Sequence, residues 1–133
     1  MTLAAFAGPA AITLAIALLL FACALRVGRM RMRHKIDAPA TTGHPDLEIA
    51  LRVQMNTLEN AVLVLAPLWV AAAYFGPRAA ALAGAAWVAS RIWYAISYMA
   101  DPRTRGGGFI GGMIAWAALM GMAAWGVGAA VFG

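Results

Sequence analysis

The sequence predicts an all-α membrane protein, a bundle of four transmembrane helices running alternately up and down. Two observations carry this. Of 133 residues, 64% are hydrophobic and only 11% charged, far from the composition of a soluble globular domain. The apolar residues also gather into four stretches long enough to span a bilayer core, separated by Pro, Gly and charged residues. A chain of this length is expected to form a single domain, residues 1–133.

The first helix is expected over about residues 3–25, an apolar run with Gly8 and Pro9 near its start, where proline is tolerated. Leu20-Phe21-Ala22-Cys23 loosely resembles an export cleavage box, but the cations all follow the run and none precedes it, the wrong polarity for a signal peptide. Cys23 is the single cysteine, so it has no disulfide partner within the chain and is expected to pack or face lipid. Residues 26–45 read as a basic, then Pro/Thr/Gly-containing connection. Asp46 can cap the second helix, about 46–75, with Glu48 in its first turn and Pro67 expected to kink it. Gly76-Pro77-Arg78 is a tight turn into the third helix, about 78–100, and residues 101–108 lead into the fourth, about 109–131. The pairs Gly107/Gly111 and Gly108/Gly112, with Gly121 and Trp125 further on, suit close helix packing in lipid. No strand precedes the glycine run, so it is not read as a phosphate loop.

The net charge of +5 arises mostly from Arg26, Arg29, Arg31, Arg33 and Lys35. Apolar segments flank that cluster on both sides, which argues against a nucleic-acid surface and for a topology determinant. With Arg103 and Arg105 in the third connection and only Arg78 in the second, the positive-inside rule places loops 26–45 and 101–108 in the cytoplasm and both termini outside.

Polar residues at the head of the second helix need a reason, because an ionisable side chain in hydrocarbon costs at least about 2.5 kcal/mol. Wound at about 100° per residue, Arg52, Asn56 and Glu59 fall within roughly 60° of one another, while Gln54 points nearly opposite. Counted from the tight turn at about 1.5 Å per residue, Glu59 lies about 24 Å up one helix and Arg91 about 21 Å up the next. Tyr94 and Tyr98 follow on the face of Arg91, and Trp87 shares it. A Glu59–Arg91 ion pair is expected. It leaves Arg52, Gln54, Asn56, Tyr94, Tyr98 and Arg105 unaccounted for, a surplus of donors that points to a small anionic ligand entering from the cytoplasm.

Arg52-x-Gln54-x-Asn56-x-x-Glu59, then Arg91-x-x-Tyr94-x-x-x-Tyr98 and Arg105, together with Thr41-Thr42-Gly43-x-Pro45, resembles the MAPEG family of bacterial type, the membrane-associated proteins in eicosanoid and glutathione metabolism. The resemblance covers nearly the whole chain. It implies a homotrimer in a membrane, the inner one in a bacterium, with glutathione as co-substrate bound between subunits. It further implies Arg31, Arg52, Asn56, Glu59, Asn60, Arg91, Tyr94, Tyr98 and Arg105 as glutathione-binding residues, with Gln54 reaching in from a neighbour. Asn60 stands where the family has tyrosine. The arginine pair at the end of the first helix maps to Arg31 and Met32, so the residue resembling the thiolate stabiliser is missing there, leaving Arg105, Arg31 and Arg33 as candidate catalytic residues.

The activity so implied is a glutathione transferase or peroxidase acting on hydrophobic electrophiles or lipid hydroperoxides drawn from the bilayer. A non-catalytic lipid- or ligand-binding member of the family is the alternative, and a small four-helix transporter the third, weakened because the first helix lacks a carboxylate. His34 and His44 lie in the polar connection without spaced partners, so no metal is expected.

Overall fold

Apolar segments that cannot leave backbone N–H and C=O groups bare in lipid must coil into helices, and the chain does so four times. A computed structural model describes residues 2–133. After a 3-10 turn at Leu3–Phe6 come α1 (Ala7–His34), α2 (Pro45–Tyr74), α3 (Pro77–Ala100) and α4 (Gly106–Phe132), with a further 3-10 turn at Pro102–Thr104. All four are long and apolar enough to cross a membrane, and among the described residues there is no strand. Neighbours joined by short connections run antiparallel. α2 and α3 form the central pair, and α1 and α4 each pack against both.

Three boundaries differ from the expectation. α1 continues nine residues past Leu25, so Arg26, Arg29, Arg31 and Arg33 ride on a helix and only residues 35–44 are a true connection. The fall in hydrophobicity after Leu25 does not end the helix, because Arg and Met are good helix formers and Val27 and Met30 still pack on Leu47 and Ala50. The helix stops at Lys35, whose φ of 55° is left-handed. α2 is capped by His44 rather than Asp46: Nδ1 of His44 accepts the Asp46 N–H at 3.1 Å, with Pro45 in the first turn. α4 begins at Gly106, three residues early.

Pro67 sits inside an uninterrupted α2. Lacking an N–H, it leaves the Leu63 carbonyl without its helical donor. Trp116 of α4 supplies one, its Nε1 donating to Leu63 O at 3.0 Å. The hydrogen bond lost to proline is thus replaced by one from an indole on a neighbouring helix.

Close approach of α4 comes from glycine. A Cβ on Gly108 would fall 2.4 Å from Tyr94 N, and one on Gly126 would fall 2.6 Å from the Tyr74 carbonyl. Gly111 likewise lies against Ser90. The expectation for Gly121 and Trp125 fails: both are exposed, and nothing lies within 4 Å of a Cβ built on Gly121. Gly126, one position on from Trp125, makes the contact instead.

Replacing Trp116 with Phe should lower stability by about 1–3 kcal/mol through the orphaned Leu63 carbonyl. In Pro67→Ala, where the helical donor is restored, the same replacement should cost less. Thermal or SDS unfolding of the four chains gives the coupling, and equal costs in both backgrounds would contradict this account.

Candidate functional site

Most of the polar and charged residues gather at one end of the bundle, where α1 and α3 finish and α2 and α4 start. Between α2, α3 and α4 at that end lies a cleft of about 640 Å³ lined by Arg52 and Asn56 of α2, Tyr94 and Tyr98 of α3, and Arg103, Arg105, Gly106, Phe109 and Ile110 of the third connection and α4. Three arginines and no carboxylate line it. One of the three is neutralised: Arg103 Nε lies 3.3 Å from Asp101 Oδ1.

Behind the cleft Arg91 is sealed at 1% exposure. Its Nη2 donates to Asn56 Oδ1 at 2.8 Å and Thr57 Oγ1 at 3.0 Å, and its guanidinium carbon sits 4.0 Å from the Tyr94 ring centroid. Nε has no partner among the described residues. A buried cation is thus held by neutral groups alone, which solvates it in part and leaves its charge uncancelled next to the cleft.

This corrects the expected Glu59–Arg91 ion pair. Thr57 lies with Val53, Ala61 and Val64 on the buried face of α2, and Glu59, two positions on, is about 200° further round the helix. Glu59 is exposed and makes no salt bridge or side-chain hydrogen bond among the described residues. The level count misses by about a turn, because the long arginine side chain reaches past its own height to the oxygens on the α2–α3 seam.

Asn60 acts on Asn56. Its Nδ2 donates to Asn56 O at 2.8 Å and to Asn56 Oδ1 at 3.3 Å. With Arg91 on the same oxygen, Asn56 Oδ1 is saturated and the side chain is oriented so that its Nδ2 donors remain for a ligand. Arg105 is placed by its Nη1 donating to Pro102 O at 2.8 Å and by the Tyr98 ring 5.3 Å from its guanidinium carbon. Gly106 brings the first turn of α4 to the cleft wall, where helix amides lack intrahelical partners and favour an anion.

Of the expected residues, Arg52, Asn56, Tyr94, Tyr98 and Arg105 line the cleft, while Arg91 stands behind it and Asn60 lines an adjoining hollow with Leu63 and Phe109. Glu59, Gln54, Arg31 and Arg33 do not line it within one chain. Arg31 is engaged elsewhere, its Nη1 donating to Ala40 O at 2.7 Å to tie down the connection. The sequence reading missed Thr57, Arg103 and Phe109. Thr57 had a signal: a lone hydroxyl on an otherwise apolar buried stripe. Cys23 is buried beside Val53, Tyr94 and Ala95, a packing residue as expected.

Four helices long and apolar enough to cross a membrane, with a cleft lined by three arginines at one end of the bundle, define an integral membrane protein. Comparison with known proteins narrows this. The model of the MAPEG family matches residues 9–125, and the chain belongs to that family. It is 43% identical over 101 residues to an uncharacterized protein of Synechocystis sp., covering 76% of this chain and 74% of that one. It is 41% identical over 81 residues to leukotriene C4 synthase of Cavia porcellus, covering 61% and 54%. With microsomal glutathione S-transferase 2 of Mus musculus it shares 38% over 86 residues, 65% and 58%. The aligned part thus spans little more than half the length of these two animal relatives.

Thr57→Val, which keeps shape but removes one of the two acceptors of Arg91, should destabilise the protein by about 1–3 kcal/mol. Circular dichroism should show unchanged helix content, and a lowered Tm in detergent is the expected readout.

Proposed function

We propose that the cleft binds glutathione and that the protein is a glutathione transferase or peroxidase for hydrophobic electrophiles or lipid hydroperoxides. The carrying observation is the set of arginines around the cleft without a carboxylate among its lining residues, backed by the uncancelled charge of Arg91. Glutathione offers carboxylates, one of which suits Arg52, the cleft arginine that no carboxylate of the chain pairs, and peptide groups that suit the amide of Asn56 and the hydroxyls of Tyr94 and Tyr98. The name of one animal relative, microsomal glutathione S-transferase 2, supports the choice of thiol.

A free thiol has a pKa of about 8.5, so little of it is thiolate at neutral pH. Arg105, held at the mouth of the cleft beside the N-terminus of α4, is the residue assigned to stabilise the thiolate. The thiolate sulfur then forms a bond to an electrophilic carbon or peroxide oxygen, and the electron pair of the broken bond leaves with the departing group. A bilayer opening would deliver such substrates without passage through water.

The remaining residues are assigned to a neighbouring copy. Glu59 stands on an outward face of α2 among exposed Met55, Leu58 and Val62, and a carboxylate on such a face needs a partner in lipid. Self-association, as a homotrimer, would give Glu59 the ammonium of the ligand and bring in Gln54, Arg31 or Arg33 from the next subunit. Both loops rich in cations, and so the cleft, are assigned to the cytoplasmic side. The second reading, a binder without turnover, is favoured by Met32, which is 76% exposed at the end of α1 where a second arginine would stand.

Titration of the purified protein with glutathione should raise its Tm, and Arg52→Ala should weaken binding by about 10–100-fold, the loss of a charged hydrogen bond. Arg105→Ala should instead reduce the ultraviolet thiolate band at pH 7 with a smaller effect on affinity. Unchanged affinity in Arg52→Ala removes the assignment. Binding with a model electrophile left unconsumed favours the second reading.

A further inference from the structure

The connection between α1 and α2 brings together three metal-ligating side chains that the cleft does not use. His34 is the last residue of α1, His44 caps α2 and Asp46 lies in its first turn. Along the chain these histidines have no spaced partners, since they stand ten positions apart and the carboxylate is on the far side of Pro45. Folding supplies the partners. One ligand atom from each of the three lies within 4.8 Å of the others. Asp46 Oδ2 is 3.2 Å from His34 Nε2 and 3.8 Å from His44 Nδ1. The two rings stack with centroids 3.5 Å apart and planes 14° from parallel.

We propose that His34, His44 and Asp46 bind a divalent transition-metal ion of the Zn²⁺ type, with water completing its shell. Ligand atoms about 2.0–2.1 Å from a tetrahedral ion lie roughly 3.4 Å from one another, and the two separations measured from Asp46 bracket that value. Two imidazole nitrogens and one carboxylate oxygen suit Zn²⁺ or its neighbours over Mg²⁺ or Ca²⁺, which prefer oxygen alone. The scaffold is held before any ion arrives. Arg31 fastens the connection through Ala40 O, and Ile36 N–H donates to Arg31 O at 3.0 Å. The bond to Ala40 O turns the Arg31 charge onto the loop backbone. His34 is largely covered, whereas His44 and Asp46 are open enough to admit an ion from water: their side chains are 16%, 40% and 47% exposed.

Closing on the ion takes only side-chain rotation. An imidazole donates in its ring plane, so the rings leave their stack by turning about Cβ–Cγ, and His44 Nδ1 gives up the Asp46 amide if it is the ligating nitrogen. The bound ion would cross-link the end of the first helix to the start of the second. It would hold the base of α2, six residues before Arg52, without touching the cleft.

The test uses the full chain in detergent with no histidine tag and no glutathione, titrated with ZnCl₂ in competition with a chromophoric chelator. Wild type should take up one ion per chain and its Tm should rise with free Zn²⁺. His34→Gln and His44→Asn, the latter keeping a good helix cap, should each weaken uptake by about tenfold or more while circular dichroism stays unchanged. A wild type with no saturable uptake, or unchanged affinity in either variant, overturns the site. Neither result bears on whether glutathione binds the cleft.

Discussion

The Arg91 guanidinium is a full charge enclosed in a bundle built for lipid, and the site is arranged around keeping it there. Removing it from water is expensive and no carboxylate shares the cost. Neutral oxygens of Asn56 and Thr57 and the face of Tyr94 do the work instead. Each of these is itself constrained. Asn56 must present oxygen inward, which Asn60 reinforces, and Gly112 leaves ordinary contact room, 3.5 Å from a built Cβ to the Arg91 Cδ. A residue that never reaches the cleft surface therefore decides which way the cleft-lining amide faces.

The fold was legible because it depends on one-dimensional quantities. Spanning length, breakers and apolar content locate four helices whatever their neighbours do. Helix ends were less legible, since α1 runs on from its apolar stretch through Arg26 to His34 with no local signal that it should stop. The role of Trp116 was invisible for a different reason. It repairs a carbonyl 53 residues away, and that relation exists only once α4 lies on α2.

In the site, the types of residue were legible and their pairings were not. Helical phase placed Arg52 with Asn56 and Arg91 with Tyr94 and Tyr98, and all of them converge. Phase within a helix says nothing of which face meets the next one, so height alone pairs Glu59 with Arg91, whereas the hydroxyl of Thr57 has the right direction. Asn60, a departure from the family pattern, turned out to brace Asn56. His34, His44 and Asp46 show the limit again: their grouping needs the fold-back of residues 35–44, which spacing does not encode.

Gly108 meets the backbone of Tyr94 and not a side chain. Main chain against main chain leaves nothing that can rotate out of the way, which ties the first turn of α4 to the C-terminal third of α3. The distance across the cleft floor is accordingly a fixed dimension of the bundle. Any accommodation of larger or smaller guests falls to the rim, to the short Pro102–Thr104 turn and the two arginines that flank its end.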